Sequence, residues 1–138
     1  MEFQSFNFPN RFIRHRNFAG ELTPKRTEEP REDYAFKIVE RGGGRVSLRS
    51  LDFPDRSLRH RDFRIMLEKS AGPADELFRL DSTFFLEPGL ADPRGLSLRS
   101  VNFPDRYLRH RDFVLFLEPR DSPNLTPDAT FFRSVPID

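Results

Sequence analysis

Residues 100–113 read Ser-Val-Asn-Phe-Pro-Asp-Arg-Tyr-Leu-Arg-His-Arg-Asp-Phe, and closely similar motifs occupy residues 50–63 and 5–18. The three histidines of the chain, His15, His60 and His110, hold the same position in the three copies. A motif that returns after 45 and then 50 residues indicates three related structural units. Repeats of this length are typical of folds in which one supersecondary unit is used several times.

Each unit is predicted to contain about four short strands. Apolar and polar residues alternate in Arg45–Leu51 and again in Phe63–Leu67, and a period of two is typical of strands. Leu58–His60 is predicted to be a further strand that follows a Phe-Pro turn. A fourth strand is predicted to begin at an aspartate, 18, 21 and 18 residues after the histidine of each unit. These aspartates are Asp33, Asp81 and Asp128. No helical periodicity is evident.

The predicted fold class is all-β, and the predicted architecture is a β-trefoil, with three repeats of about four short strands and pseudo-threefold symmetry. Three units closed around an axis leave no exposed strand edge, whereas a three-bladed propeller falls below the usual blade number. We expect a single domain over residues 1–138, with lobes at approximately 1–43, 44–92 and 93–138. Residues 131–135 are expected to reach the first strand.

Several repeated apolar positions are assigned to the core. Gly20 stands where the other two units have Ile65 and Leu115, so we expect unfilled volume and a looser first lobe. The repeated core positions are Phe3, Leu48 and Leu98, then Ile13, Leu58 and Leu108, then Phe8, Phe53 and Phe103, and finally Phe18, Phe63 and Phe113.

The composition argues against several function classes. The chain has 23 basic and 22 acidic residues, and a net charge of +1 gives no bulk attraction to nucleic acid or to acidic membranes. There are no cysteines, hence no disulfides and no thiolate chemistry. No apolar run approaches the ~20 residues of a membrane span. We expect no signal peptide, because Met1–Phe3 lead straight into the first repeat.

The repeated histidines and aspartates are the candidate functional residues. Their polar side chains recur three times, which fits either of two roles. In a scaffold role, the histidine bonds a backbone carbonyl and the aspartate caps a turn. In a binding role, both side chains contact a ligand. The residue pattern alone leaves these two interpretations open.

Three other functions are considered and not favoured. A zinc site made of the three histidines requires them on the threefold axis, whereas they lie between arginines, which repel a cation. A glycosidase needs two carboxylates in different environments, and a threefold repeat supplies one environment three times. Each arginine cluster has its own acidic neighbours, such as Asp55 beside Arg56, so no basic stripe for nucleic acid emerges.

Sugar hydroxyl groups suit three similar pockets of histidine, aspartate and an aromatic ring. A carboxylate accepts hydroxyl protons, histidine both donates and accepts, and an aromatic ring packs against ring carbons. Each pocket is expected to bind weakly, at roughly −4 to −8 kcal/mol. Three pockets on one rigid body gain avidity for a polymer that presents many copies of the sugar.

The motif resembles a known family. Residues 100–113 resemble the signature of the arabinofuranose-binding domain of α-L-arabinofuranosidase B (the AbfB domain), which is also classed as carbohydrate-binding module family 42. Residues 77–84 resemble that family's second signature, and residues 88–93 its connector between repeats. The resemblance implies a β-trefoil that binds arabinofuranose side chains of arabinoxylan or arabinan, with up to one pocket per lobe.

The resemblance also implies roles for individual residues. It places sugar-binding roles on His15, His60, His110, Asp33, Asp81 and Asp128, and supporting roles on Asn7, Asp52, Asn102 and Tyr107. Tyr107 is matched by Phe12 and Ser57 in the other units, and the first lobe has a charged loop before Asp33. The third lobe is therefore the expected working site.

We accordingly expect a non-catalytic, lectin-like module that binds glycans with terminal arabinofuranose through up to three weak pockets acting multivalently. We expect no cofactor, no metal, no nucleic acid and no membrane partner. A further expected partner is the catalytic domain of a glycoside hydrolase within a longer protein. An extracellular location is expected if the module acts on plant polysaccharide. The alternative is a structural or protein-binding β-trefoil in which the repeated His and Asp residues are scaffold.

Overall fold

The computed structural model describes residues 1–134, and most of the regular structure in that range is β-strand. The first repeat contains β1 (Glu2–Ser5), β2 (Arg11–Arg16), β3 (Ala19–Pro24), a 3₁₀ helix (Arg31–Tyr34) and β4 (Phe36–Gly42). The second contains β5 (Arg45–Ser50), β6 (Ser57–Arg61), β7 (Arg64–Glu68), α1 (Glu76–Asp81) and β8 (Phe84–Pro88). The third contains β9 (Leu96–Ser100), β10 (Arg106–Arg111), β11 (Val114–Pro119), α2 (Leu125–Asp128) and β12 (Phe131–Ser134). The all-β class is confirmed.

The predicted β-trefoil architecture is wrong, because the strands form a closed antiparallel β-barrel. Twelve strands of residues 1–134 share one hydrogen-bonded sheet. The fourth strand of each repeat pairs with the first strand of the next, β4 with β5 and β8 with β9, and β12 returns to β1. Alternation along a sequence predicts strands but not their partners, since those contacts are remote in sequence. The boundaries proposed for the three lobes stay a prediction.

The chain ends meet as expected. Phe131 pairs with Ser5 and Phe132 with Gln4 in an antiparallel register. Val135, which was expected to take part in this contact, lies outside the described residues.

The three aspartates do not open strands, as they were predicted to do. Each lies in a short helix, within the 3₁₀ helix Arg31–Tyr34 or at the last residue of α1 or of α2. The following strand begins three residues after the aspartate in every repeat. Helices of four to six residues are too short to show a helical period in the sequence, which is why they were missed.

The central hairpin of each repeat turns through two residues in the left-handed region. Asp112 and Phe113 have φ of 55° and 61°, and they connect β10 to β11. The equivalent pairs are Asn17 and Phe18, and Asp62 and Phe63. Two left-handed residues in a two-residue hairpin loop form a type I′ turn, where glycine is the usual second residue. Phenylalanine at that position is strained, so something other than the turn must favour it.

The hairpins join one another through these turns. The carbonyl group of Phe113 accepts a hydrogen bond from the amide of Leu22 at 2.9 Å. In the same way the carbonyl group of Phe18 accepts from the amide of Leu67, and the carbonyl group of Phe63 from the amide of Leu117, both at 2.8 Å. Each turn therefore bonds to the hairpin of the following repeat, and the three contacts close a circle.

The core is built from equivalent positions of the three repeats. Phe3, Leu48 and Leu98 are fully buried, as predicted, and so are Ile13, Leu58 and Leu108. Phe8, Phe53 and Phe103 were wrongly assigned to the core, because 37–39% of each residue is exposed. Phe18 is 39% exposed, and Phe63 and Phe113 are only half-buried.

The expectation of unfilled volume at Gly20 is also wrong. A Cβ atom at Gly20 would lie 2.9 Å from Cδ1 of Leu115 and 3.2 Å from Cγ2 of Ile65. The equivalent side chains of the other two repeats therefore fill the space beside the glycine. In the part of the chain that the structure describes, no helix has the length and apolar character needed to cross a membrane.

We predict that Gly20→Ala lowers the free energy of unfolding by about 1–3 kcal/mol, because the added methyl group overlaps Leu115 and Ile65. Urea unfolding of the single variants and of the Gly20→Ala/Leu115→Ala double variant measures this. The cost of Gly20→Ala should shrink when Leu115 is already alanine. Equal costs in the two backgrounds would show that the close contact is not responsible.

Candidate functional site

Each histidine lies near the end of the second strand of its repeat, close to the aspartate that sequence analysis paired with it. His110 Nε2 is 3.6 Å from Asp128 Oδ1, and His60 Nε2 is 3.3 Å from Asp81 Oδ1. The corresponding distance from His15 to Asp33 is 3.8 Å. All three histidines are buried, with 4% or less of each residue exposed. The structure thus brings together every predicted His–Asp pair.

A side chain from the next repeat connects the histidine to the aspartate. His110 Nε2 lies 2.9 Å from Oδ1 of Asn7, and Nδ2 of Asn7 donates to Oδ1 of Asp128 at 2.7 Å. The same chain of contacts runs from His60 to Asn102 (2.9 Å) and on to Asp81 (2.8 Å). Because the amide nitrogen faces the carboxylate, the amide oxygen faces the histidine, whose Nε2 must carry the proton. The supporting residues Asn7 and Asn102 therefore serve the site of the preceding repeat.

A buried serine orients each of these amides. Ser5 Oγ donates to Asn7 Oδ1 at 3.0 Å and accepts from the amide of Phe8 at 3.1 Å. Ser100 makes the same two contacts with Asn102 and Phe103, both at 3.0 Å. The serine that opens the repeated motif thereby holds both the turn and the amide in place.

An arginine holds each aspartate from the other side. Arg109 forms an ion pair with Oδ2 of Asp128, donates from Nε to the carbonyl of His110 (2.9 Å) and pairs with Glu118 (3.0 Å). Arg59 pairs with Asp81 in the same way, and Arg14 pairs with Asp33 at 2.8 Å. These arginines are at most 7% exposed. The arginine before each histidine is therefore a buried ion-pair partner, whereas the arginine after it, such as Arg111, is exposed.

The protonation state of His110 follows from its burial. Burial lowers the pKa of His110, and the positive charges of Arg109 and Arg11 lower it further, while Asp128 acts in the opposite direction. A neutral imidazole with its proton on Nε2 suits the contact with Asn7. At neutral pH the site at His110 therefore presents an uncharged imidazole beside a carboxylate that is ion-paired with Arg109.

Two aromatic rings form one wall of the site, and sequence analysis missed both. The ring of Phe8 meets His110 edge-on at 5.4 Å between centroids and meets Phe113 edge-on at 5.2 Å. Phe103 contacts His60 and Phe63 in the same arrangement, at 5.4 and 5.2 Å. Phe8 and Phe103 each follow an asparagine in a polar turn instead of lying in an alternating strand, which indicates from the sequence that they are not core.

A cation stacks on the strained phenylalanine of each turn. The guanidinium of Arg11 lies 3.6 Å from the ring centroid of Phe113, Arg106 lies 3.7 Å from Phe63, and Arg56 lies 4.1 Å from Phe18. Each arginine belongs to the repeat that also provides the Phe-Pro ring. Contacts of this kind contribute about 0.5–1 kcal/mol at exposed sites, which offsets part of the strain.

Open clefts lie over two of the three sites. The cleft at His110 has a volume of about 650 Å³. It is lined by Asn7 and Phe8 of the first repeat and by residues of the third repeat that include Phe113 and Asp128. The cleft at His60 is smaller, at about 390 Å³, with Leu77, Asp81 and Phe103 among its lining residues. Both volumes lie within the range of small-molecule binding sites.

Tyr107 lies beside the cleft at His110 without lining it. Its hydroxyl donates to Glu87 at 2.8 Å, and its ring packs with Leu125 and Ala129 at the two ends of α2. Tyr107 therefore supports the helix that carries Asp128 instead of contacting the cleft.

The side chain that contacts His15 differs in kind from those at the other two sites. Asp52 occupies the position of Asn7 and Asn102, and its Oδ1 lies 2.9 Å from His15 Nε2. A carboxylate cannot donate to Asp33 as the amides do to their aspartates. Burial raises the pKa of Asp33, and the carboxylate of Asp52 raises it further, although His15 and Arg14 lower it.

The sequence matches a known family over almost its whole length. The Alpha-L-arabinofuranosidase B (ABFB) domain matches residues 1–133. The chain belongs to the ABFB domain family. The resemblance identified from the repeated motif is confirmed by this match.

Several solved structures share the fold of this ABFB domain. An arabinofuranosidase complexed with arabinofuranosyl-α-1,2-xylobiose has a TM-score of 0.81 and 23% identity, over 95% of this chain and 30% of that one. A GlcNAcα1-4Gal-releasing endo-β-galactosidase from Clostridium perfringens has a TM-score of 0.74 and 10% identity, over 94% and 30%. The designed threefold symmetric protein ThreeFoil has a TM-score of 0.70 and 8% identity, over 95% and 94%.

At these identities the similarity shows the fold alone. The ABFB domain described here spans about 30% of the length of the arabinofuranosidase chains that it matches. No curated protein sequence is similar enough to this chain to count as a match.

We predict that acidification destabilises the protein through His110. Because the folded pKa of His110 is depressed, the unfolded chain takes up a proton first as pH falls below the ordinary value of about 6.5. Stability from this group is complete above that pH and is lost below it, with a slope of at most about 1.4 kcal/mol per pH unit.

His110→Gln, whose amide can still donate to Asn7, provides the comparison. Urea unfolding of both proteins between pH 7.5 and 5.5 should give a flatter profile for the glutamine variant. Parallel profiles would contradict the assignment of the pH dependence to His110.

Proposed function

We propose that this ABFB domain is a non-catalytic carbohydrate-binding module that binds arabinofuranose side chains of arabinoxylan or arabinan. The observation that carries the proposal is the cleft at His110, where a charged carboxylate and an imidazole lie at the foot of an exposed aromatic wall. Membership of the ABFB family supports arabinofuranose as the ligand, and so does the solved complex of a structurally similar arabinofuranosidase with arabinofuranosyl-α-1,2-xylobiose.

The chemistry of the cleft suits a sugar ring. Asp128 accepts one hydrogen bond at Oδ1 from Asn7 and one at Oδ2 from Arg109, and each oxygen retains a further lone pair for a hydroxyl group. The ring of Phe8, 38% exposed, offers an apolar surface to the carbons of the sugar. Because Arg109 and Asn7 fix the carboxylate before the ligand arrives, little ordering entropy is lost on binding.

Three sites around one rigid barrel support multivalent binding. The clefts at His110 and His60 are built from the same side chains, and each is expected to bind weakly by itself. A polysaccharide with repeated side chains engages them together and gains avidity. The cleft at His110 is larger than the cleft at His60, and the site at His110 is the proposed principal site.

A catalytic role is not favoured by the surroundings of the carboxylates. A glycosidase needs a general acid that holds a proton in apolar surroundings and a second carboxylate in a different role. Of the three carboxylates that line the cleft at His110, Asp128 and Glu118 are ion-paired with Arg109, and the side chain of Asp112 is 90% exposed to water.

A scaffold role for the histidines and aspartates is the second candidate. The observation in its favour is that the network of His110, Asn7 and Asp128 is satisfied without a ligand. Against it, the histidines bond side chains rather than backbone carbonyls, and a cleft remains open above the network.

We predict that Asp128→Ala and Asp128→Asn abolish binding at the site of His110. Calorimetric titration with an arabinofuranosyl oligosaccharide should show one binding site fewer than in the unaltered protein. If the site at His110 provides most of the measured affinity, that affinity should fall at least tenfold. The asparagine variant keeps the shape of the side chain, so it separates loss of the ligand contact from the instability expected when Arg109 is left unpaired in the alanine variant. Asp121→Ala, an exposed change in the same repeat, is the control. Unchanged stoichiometry and affinity in both Asp128 variants would refute the proposal.

We predict that Phe113→Gly separates binding from scaffold. Glycine relieves about 1 kcal/mol of strain at a left-handed position but removes the ring between Phe8 and Arg11. The free energy of unfolding should change by less than about 1.5 kcal/mol, while affinity at this site falls at least tenfold. Phe63→Gly should weaken the site at His60 instead. Intact affinity with a large loss of stability would favour the scaffold role.

A further inference from the structure

The site at His15 has two carboxylates beside its histidine, where each of the other two sites has one. At His110, Asp128 and Glu118 are balanced by Arg109 and Arg111. At His60, Asp81 and Glu68 are balanced by Arg59 and Arg61 in the same pairing.

At His15 the arginines have other acidic partners, because Thr23 stands at the position of Glu68 and Glu118. Arg16 pairs with Glu21 at 3.3 Å, and Arg26 lies 4.0 Å from Glu29. Arg14 pairs with Asp33 and with Glu29, and Arg16 also reaches Glu29, at 3.6 Å. The extra carboxylate is Asp52, which stands where the other sites have a neutral amide. Two carboxylates and an imidazole therefore face one another here, a set of groups that a divalent cation can hold together.

The two aspartates and the histidine converge on one point. The Nε2 atom of His15 lies 2.9 Å from Asp52 Oδ1 and 3.8 Å from Asp33 Oδ1, and the three ligand atoms all lie within 4.8 Å of one another. In a tetrahedral site with bonds of ~2.0–2.1 Å, neighbouring ligand atoms are about 3.3 Å apart. The observed spacings bracket this value, so small side-chain rotations suffice to place an ion between them.

We propose that His15, Asp33 and Asp52 bind a divalent transition-metal ion, with Zn²⁺ as the best match. One imidazole nitrogen with two carboxylate oxygens suits Zn²⁺, whereas Ca²⁺ requires six to eight oxygen ligands. This site departs from the expectation that the chain binds no metal. It is also distinct from the three-histidine site that the sequence argued against.

Hydrogen bonds from neighbouring side chains hold the two carboxylates in position to bind an ion. Ser50 Oγ donates to Asp52 Oδ1 at 2.6 Å, and Arg14 holds Oδ2 of Asp33, which leaves Oδ1 facing the site. Carboxylate ligands of metals are commonly held by such outer hydrogen bonds. The charge of Arg14 is itself offset by Glu29, so it does not cancel the carboxylates that face His15.

The site is accessible from solvent. The side chains of Asp33 and Asp52 are 19% and 24% exposed, while that of His15 is 5% exposed. An ion can therefore reach the two carboxylates before it contacts the imidazole. Only a neutral imidazole binds a metal ion, so the affinity should fall as pH is lowered.

The experiment is a calorimetric titration of the chelator-treated, untagged chain with Zn²⁺ at pH 7.5 and at pH 6.0. The wild type should bind one ion saturably, with a melting temperature several degrees higher in its presence and weaker binding at pH 6.0. Asp52→Asn, which copies the residue of the other two sites, should weaken binding at least tenfold. Ca²⁺ at the same concentrations should have no comparable effect.

The reciprocal variant tests whether the second carboxylate creates the site. Asn102→Asp reproduces the His15 arrangement at His60 and Asp81, and it should raise the stoichiometry from one ion to two. Saturable binding that survives unchanged in Asp52→Asn would overturn the proposal, as would the absence of wild-type saturation below ~1 mM Zn²⁺. Because the readout is metal binding alone, failure here is independent of whether the clefts bind sugar.

Discussion

The structure depends on a hydrogen-bonded chain that crosses the boundary between repeats. At the site of His110, Asn7 connects the histidine to Asp128, although 103 and 121 residues separate Asn7 from the two partners. The same connection runs from the second repeat to the third, through Asn102. Between the first repeat and the second, the contact from the histidine is made to Asp52. No site is complete within one repeat, so the barrel must close before any site exists.

The same constraint explains the strained hairpin turns. Phe113 occupies a left-handed position that glycine would adopt more easily, yet its carbonyl bonds to the first repeat and its ring lies between Arg11 and Phe8. The energy of these contacts between repeats offsets a backbone conformation that is unfavourable within one repeat. Strained backbone is concentrated in proteins at functional sites, and Phe113 lines the cleft that is proposed to bind sugar.

The sequence predicts a large part of this arrangement and misses the rest for physical reasons. Repetition and period two identify the strands, the buried Phe3 and the His110–Asp128 pair, since these depend on local pattern and spacing. The closed sheet, the partner of Asn7 and the packing around Gly20 depend on contacts between repeats, which no local pattern contains. Phe8 was assigned to the core on its apolar character, although it follows Asn7 in a polar turn.

The central claim is that a sugar is bound jointly by two repeats, with polar groups from one and an aromatic ring from the next. A crystal structure of the chain with an arabinofuranosyl oligosaccharide tests it most directly. The account predicts hydroxyl groups of the sugar within hydrogen-bonding distance of Asp128 and ring carbons packed on Phe8. A sugar that occupies a surface remote from both residues, or that contacts the third repeat without Phe8, would contradict it.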